Sequence, residues 1–367
     1  MRVKLSEITN YSKGTQINGD ELIENGEYIY LNGGINPSGR WSSSNVSGDT
    51  VTISEGGNSS GYVNYISEPF WCGAHCYYLY DGPSNSKYLY YALKSQQDRL
   101  FAIRSGACMP NIKKSDLGNF ELEFDSDEQK QNEIVKILSN VEQVILSRQK
   151  ELELFDKLIK ARFVEMFEDP DNAYEEVNLD SIADIVSGIT KGRRTKCNDL
   201  REVPYMAVSN VKDGYIDWTT VKTILASEVE INQYRLMKDD VLMTEGGDPD
   251  KLGRGAIISN PPEDCIHQNH IFRVRLNEKR VLPRYFSAFL QSPKAKMYFL
   301  KAAKQTTGIA TINMKQIKGL PTIVPPINKQ WEYTTFCEQV DKSKVAVQKS
   351  LNETQKLFDS LMQEYFG

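Results

Sequence analysis

Few residues in this chain could bind a metal or transfer a group. Cys72-Gly73-Ala74-His75-Cys76 with Cys108, and Cys265-Ile266-His267 with His270, supply thiols and imidazoles. Neither set has the paired Cys-x-x-Cys spacing that closes a tetrahedral zinc site, so no metal is expected. Adding Cys197 and Cys337, the six cysteines are scattered over 367 residues and read as free thiols. Glu55-Gly56-Gly57 and Glu245-Gly246-Gly247 carry carboxylates that acid or base chemistry could use, but the glycines fit a strand-ending turn better. Asn260-Pro261-Pro262-Glu263 approaches the Asn-Pro-Pro-aromatic tetrad of adenine methyl transfer. It ends in glutamate and lacks a companion glycine-rich loop, so a proline turn is the reading. No Gly-x-x-x-x-Gly-Lys-Ser/Thr stretch is present, which removes nucleotide hydrolysis. No catalytic residue is assigned, and the chain is expected not to be an enzyme.

Charge points elsewhere. The net charge is -5, yet residues 177–325 carry 22 basic and 16 acidic side chains, against 10 and 14 in residues 1–125. The later segment therefore looks like a polyanion binder. Its basic loops are Lys191-Gly192-Arg193-Arg194-Thr195-Lys196 and the stretch holding Lys251 and Arg254. Gln268-Asn269-His270 and Lys304-Gln305-Thr306-Thr307 are further polar loops. In the acidic first segment the candidates are Lys13, Thr15, Gln16, Arg40 and Asn58. All of these also fit ordinary solvated loop.

Residues 127–168 contain neither glycine nor proline and are mostly strong helix formers, which predicts one long helix ended by Pro170. Ile134, Leu138, Val141, Ile145, Leu152, Phe155 and Ile159 recur at steps of three and four, with Arg148 as the one interruption. That is a heptad seam. A second helix is predicted over about residues 328–366, with Val340, Val347, Leu351, Phe358, Leu361 and Tyr365 on its seam and Lys344 and Thr354 as polar members. At 1.5 Å per residue each would be roughly 60 Å long. Antiparallel pairing of the two is the first expectation; the alternatives are packing on each helix's own domain or a homodimeric coiled coil. With 40% hydrophobic and 25% charged residues, no apolar run of membrane-spanning length and no signal-peptide pattern at the start, a cytoplasmic protein is expected.

The chain also repeats itself. Val3, Leu5, Ile8 and Gly14 match Val177, Leu179, Ile182 and Gly188; Val51 and the first Glu-Gly-Gly match Val241 and the second. Tyr28 and Trp41 are laid on Tyr205 and Trp218, Ile66 on Ile258, Tyr88 on Tyr285, Asn111 on Asn313 and Gln129 on Gln330. Collinear matches of this kind indicate a tandem duplication of a globular domain followed by a helix. Strands are predicted at 27–31, 50–53, 241–244 and 271–274, and short helices at 88–94 and 283–290. The expected class is α+β: two pseudo-twofold-related globular domains, 1–125 and 171–326, separated by two long antiparallel coiled-coil helices, 126–170 and 327–367.

Duplicated domains each followed by a long helix, with Leu5-x-x-Ile8 and Leu179-x-x-Ile182 near their starts and Gln129 or Gln330 at the helix starts, resemble the specificity subunit of a type I restriction-modification system. The resemblance implies two target-recognition domains, each reading half of a split target in double-stranded DNA. It implies docking of two methyltransferase subunits on the helices, with a restriction motor-nuclease as a further partner. It places S-adenosylmethionine in the methyltransferase, so this chain itself needs no cofactor. A coiled-coil interaction scaffold without a DNA role is the competing reading.

Overall fold

The computed structural model describes residues 1–106, 108–169, 174–194, 199–247, 253–306 and 309–367. It divides into two compact units, residues 1–151 with 347–367, and residues 152–346. Pro170, and the stretches at 195–198 and 248–252, lie outside the described residues.

In the first unit, an antiparallel four-stranded sheet runs in the order Asn10–Lys13, Cys76–Tyr80, Thr50–Ser54, Val63–Ile66. A three-stranded sheet follows the order Gly39–Trp41, Tyr28–Leu31, Phe70–Cys72, the last pair parallel. Arg2–Lys4 pairs with Glu121–Glu123 and closes the ends of the domain. Thr50–Ser54 is buried throughout, its hydroxyl residues Thr50, Thr52 and Ser54 included. Its Val51 and Ile53 pack with Tyr77, Tyr88, Leu89 and Tyr91 from the next strand and the helix Ser86–Ser95. Asn85 caps that helix by accepting from the Tyr88 N–H at 3.0 Å.

The second unit has the same topology. Its four-stranded sheet runs Ala183–Ser187, Ile271–Leu276, Val241–Thr244, Gly255–Ile257, and its three-stranded sheet runs Lys222–Ser227, Leu200–Met206, Ile266–His267. Glu175–Asn178 pairs with Pro321–Val324. The strands Lys304–Thr306 and Ile309–Thr311 pair and add to Gly246–Gly247, where among the described residues the first unit has single bridges from Asn111 to Gly56 and Ser105.

Pairing register confirms the duplication and corrects three of its matches. Tyr205 lies opposite Ile266 and Met206 opposite His267, as Tyr30 lies opposite Trp71 and Leu31 opposite Cys72; the partner of Tyr205 is therefore Tyr30, not Tyr28. Trp41 pairs with Tyr28, whereas Tyr205 pairs with Lys222 and Trp218 sits before that strand, so the two tryptophans are not equivalent. Ile112 N donates to the Glu55 carbonyl and Ile312 N to that of Glu245 (2.9 and 2.7 Å), which puts Asn111 on Thr311 rather than Asn313.

The long helices span Glu128–Phe167 and Ile327–Phe366. In the first unit, Ile134 and Leu138 share a core with Met362 and Phe366, and Phe358 and Leu361 pack on it. In the second, Phe163 packs on Tyr333, Arg162 bonds Glu332 at 2.6 Å and Lys344 bonds Asp156 at 2.7 Å. Within each unit the two helices thus run antiparallel, and their seams pack on each other and on the core of the unit's globular part. A fourth correction falls at the helix starts. Gln129 is exposed, while Gln131 is buried and donates to the Asp125 carbonyl at 2.6 Å. Gln330 is buried likewise and donates to the Pro325 carbonyl at 2.8 Å, so Gln131 is its counterpart.

Candidate nucleic-acid interface

Antiparallel pairing brings several chain segments to one end of each four-stranded sheet. In the first unit, the strand holding Lys13 ends opposite Tyr77, and the strand before Glu55 ends opposite Cys76. Lys13, Thr15, Gln16, Glu55, Asn58 and His75 therefore belong to the same end. In the second unit, Ser187 lies opposite Phe272, Thr244 opposite Ile271 and Gly255 opposite Met243. That gathers Glu245, Arg254, Asn269 and His270 at the corresponding end. Ile189 N donates to the His267 carbonyl and Asn269 N to the Ile189 carbonyl, which ties the start of the 191–194 loop to the same place. The strand pair with Lys304 and Thr306 reaches it through the pairing of Thr311 with Gly246.

Two glycines make this packing feasible. A Cβ on Gly14 would stand 1.9 Å from the Cys72 carbonyl oxygen, and one on Gly188 would stand 2.0 Å from that of His267. Both obstacles are backbone, held by Thr15 N and Ile189 N (2.9 and 2.8 Å). The positions demand glycine for close approach.

The candidate residues are not equally available. Thr15, Gln16, Asn58, Lys191 and Arg194 are exposed, and Arg254 and Asn269 are half-buried. Lys13 bonds Glu55 at 2.7 Å. Burial alone would raise the Glu55 carboxyl, but hydrogen bonds from Lys13 and His75 outweigh it and hold the group below its usual range. Arg40 lies on the three-stranded sheet and donates to the Gly26 and Glu27 carbonyls, at 2.5 and 2.6 Å. Arg193 makes a two-pronged bond to Glu230 and reaches the Leu225 carbonyl at 3.1 Å. Arg40 and Arg193 thus fix the fold, because their donors are used within the chain. Lys196, Lys251 and Thr307 lie outside the described residues.

The Arg193 pair has a testable consequence. Its hydrogen bond to Glu230 pulls that carboxyl down to about 2, against the opposing effect of burial. A depressed acid contributes stability above its unfolded value and loses it as pH falls through the folded one. The stability gap between the protein and Arg193→Ala should stay constant above about pH 5 and shrink as pH falls from about 4.5 towards 2, measured by denaturant titration at each pH. A gap independent of pH would show that the ion pair contributes nothing.

The metal-like clusters resolve into other roles. Cys72, Cys76 and Cys265 are buried free thiols, and Cys265 is pushed up to about 12 by burial. His267 is fully buried between the carbonyls of Tyr234 and Val186, at 3.0 and 3.3 Å, and burial lowers it to about 4. His75 and His270 point outward and bond Glu55 and Glu245 through Nδ1. His75 and Glu55 were not among the residues expected to contact a ligand. Part of the signal was available, since each glutamate opens a Glu-Gly-Gly turn; that each histidine immediately precedes a strand is seen only in the structure.

A family model described as the type I restriction modification DNA specificity domain matches residues 1–154 and again 172–355. The chain belongs to that family. Among curated relatives, the Escherichia coli K12 type I restriction enzyme EcoKI specificity subunit is 26% identical over 200 residues, 54% of this chain and 42% of the relative. A putative type I specificity subunit of Mycoplasma genitalium is 35% identical over 138 residues, 37% of this chain and 36% of that protein. The chain therefore spans less than half the length of the curated relatives it matches. Similarity to the crystal structure of a type I S subunit from M. genitalium extends over 100% of this chain and 96% of that one, with a TM-score of 0.62 at 22% identity. A structure described in terms of complex assembly and conformational transition of the type I system aligns with a TM-score of 0.59 at 14% identity, over 99% of this chain and 96% of that one. These two likenesses concern the fold. Among the described residues, no helix is long and apolar enough to cross a membrane.

Proposed function

We propose that this chain is the sequence-reading subunit of a cytoplasmic type I restriction-modification complex. Each globular domain reads one half of a split target in double-stranded DNA. The long helices set the spacing between the halves and dock two methyltransferase subunits. Adenine methylation, with S-adenosylmethionine, and cleavage by a motor-nuclease are the partners' work, and this chain contributes recognition alone. The observation that carries the reading is the family match falling once on each repeat, each with a loop-bearing end of the same sheet. Phosphate contact draws on lysine, arginine and other hydrogen-bond donors, and base reading on arginine, asparagine or glutamine; Lys191, Arg194, Arg254, Asn269, Lys304 and Thr306 in one domain, and Lys13, Thr15, Gln16 and Asn58 in the other, are the residues we assign to it. Because Asn269 stands where the first domain has Ala74, and Ser187 where it has Lys13, the two half-sites should differ in sequence.

Salt dependence separates this from a protein-interaction scaffold. The chain assembled with its methyltransferase subunits should lose about 10³-fold or more in DNA affinity between about 50 and 200 mM salt. Assembly through apolar seams should change little over that range. An assembled complex with no affinity for duplex DNA at low salt would contradict the DNA-reading function.

A further inference from the structure

The exposed histidines occupy one place in both repeats, and so do their partners. His75 Nδ1 lies 3.3 Å from Glu55 Oε2, and His270 Nδ1 bonds Glu245 Oε2. The backbone frame is the same: Glu55 N donates to the His75 carbonyl at 2.8 Å and Glu245 N to that of His270 at 3.0 Å. The imidazole side chains are 59% and 54% exposed, and among the described residues neither Nε2 has a partner. Around the pair the two domains diverge, with Lys13, Ala74, Tyr77 and Asn111 replaced by Ser187, Asn269, Phe272 and Thr311.

Apolar packing does not account for the ring positions: the imidazoles are more than half exposed, while the Glu55 and Glu245 side chains they bond are 16% and 32% exposed. Nor can a contact common to both domains carry the difference between two unlike half-sites. It suits what is the same under both, the phosphate backbone.

We propose that each Glu-His pair is a phosphate contact, one per domain. The Nδ1–H donated to the carboxylate fixes the ring, and the Nε2–H is donated to a phosphate oxygen of the bound duplex. The assignment rests on the DNA-reading function proposed above. In the first domain a cleft of about 490 Å³ beside Glu55 is lined by Ser12, Lys13, Asn111, Lys113 and Lys114, and so gathers three lysines next to the pair.

The test uses the full chain assembled with its methyltransferase subunits, bound to a duplex carrying the methylated motif at about pH 6. His75→Ala and His270→Ala should each weaken binding about tenfold and lower the slope of log affinity against log salt by about 0.9. The double variant should show both losses, with the recognised sequence and the melting temperature unchanged. Unchanged affinity and slope in both variants would overturn the proposal. So would a variant that binds a different sequence, which would make the histidine a base reader, or a loss accompanied by unfolding, which would make the pair structural. Failure of the unaltered complex to bind any duplex would overturn the DNA-reading function, and the phosphate contact with it.

Discussion

Replacing Gln330 by leucine should destabilise the unit formed by residues 152–346 by about 3–5 kcal/mol. The side chain is fully buried at the start of the second long helix. Its Oε1 accepts from Leu282 N at 2.8 Å, and its Nε2 donates to the carbonyls of Arg280 and Pro325 at 2.9 and 2.8 Å. Leucine leaves three backbone groups without partners, each costing about 1–3 kcal/mol, and returns part of that through apolar burial. The counterpart Gln131 makes one such bond, to Asp125, and its buried Oε1 has no partner among the described residues. Gln131→Leu should therefore cost only about 1–2 kcal/mol. Calorimetry on the two variants reads the difference. Equal losses, or a loss below about 1 kcal/mol for Gln330→Leu, would show that the helix start is not held in this way.

Alanine at Gly188 or Gly14 should cost about 2–4 kcal/mol, although it adds a single methyl group. The obstacle is a carbonyl oxygen within 2.0 Å of the new Cβ, on the parallel strand of the three-stranded sheet, and it cannot rotate away as a side chain could. Relief requires the strand end to shift, which breaks the bond from Ile189 N to His267 or from Thr15 N to Cys72. Gly192 is the control. It has a φ of +75°, but a Cβ added there would meet nothing within 4 Å, so Gly192→Ala should cost only about 1 kcal/mol in strain. Denaturant titration distinguishes the cases, and a Gly188→Ala variant as stable as Gly192→Ala would refute the close approach.

The long helices were legible because a heptad seam is a local property: Ile134, Leu138 and Ile145 repeat within one segment and fall on its buried stripe. Phase was legible too, since Gln131 stands three residues before Ile134 and shares its face, while Gln129 looks outward. The repeat was found from identities, but its register was not. The connection between the first two strands of the three-stranded sheet is longer in the second domain, where it holds the turn Val208–Asn210, and that insertion shifts Trp218 away from the position of Trp41. Site residues were harder still. A loop arginine looks the same in sequence whether it faces solvent or, like Arg193, is bound by a glutamate 37 residues away. His75 was hidden among cysteines that suggested a metal, and only the pairing of Ser54 with Cys76 and of Thr244 with Ile271 reveals that it and His270 stand at one position.

The most direct test of the central claim is to map N6-methyladenine across the host genome with this gene intact and deleted. The proposed function predicts that deletion abolishes methylation at one split motif with two unlike halves, and leaves every other methylated motif unchanged. Methylation that persists at every motif, in a host whose methyltransferase subunits are active, would contradict it.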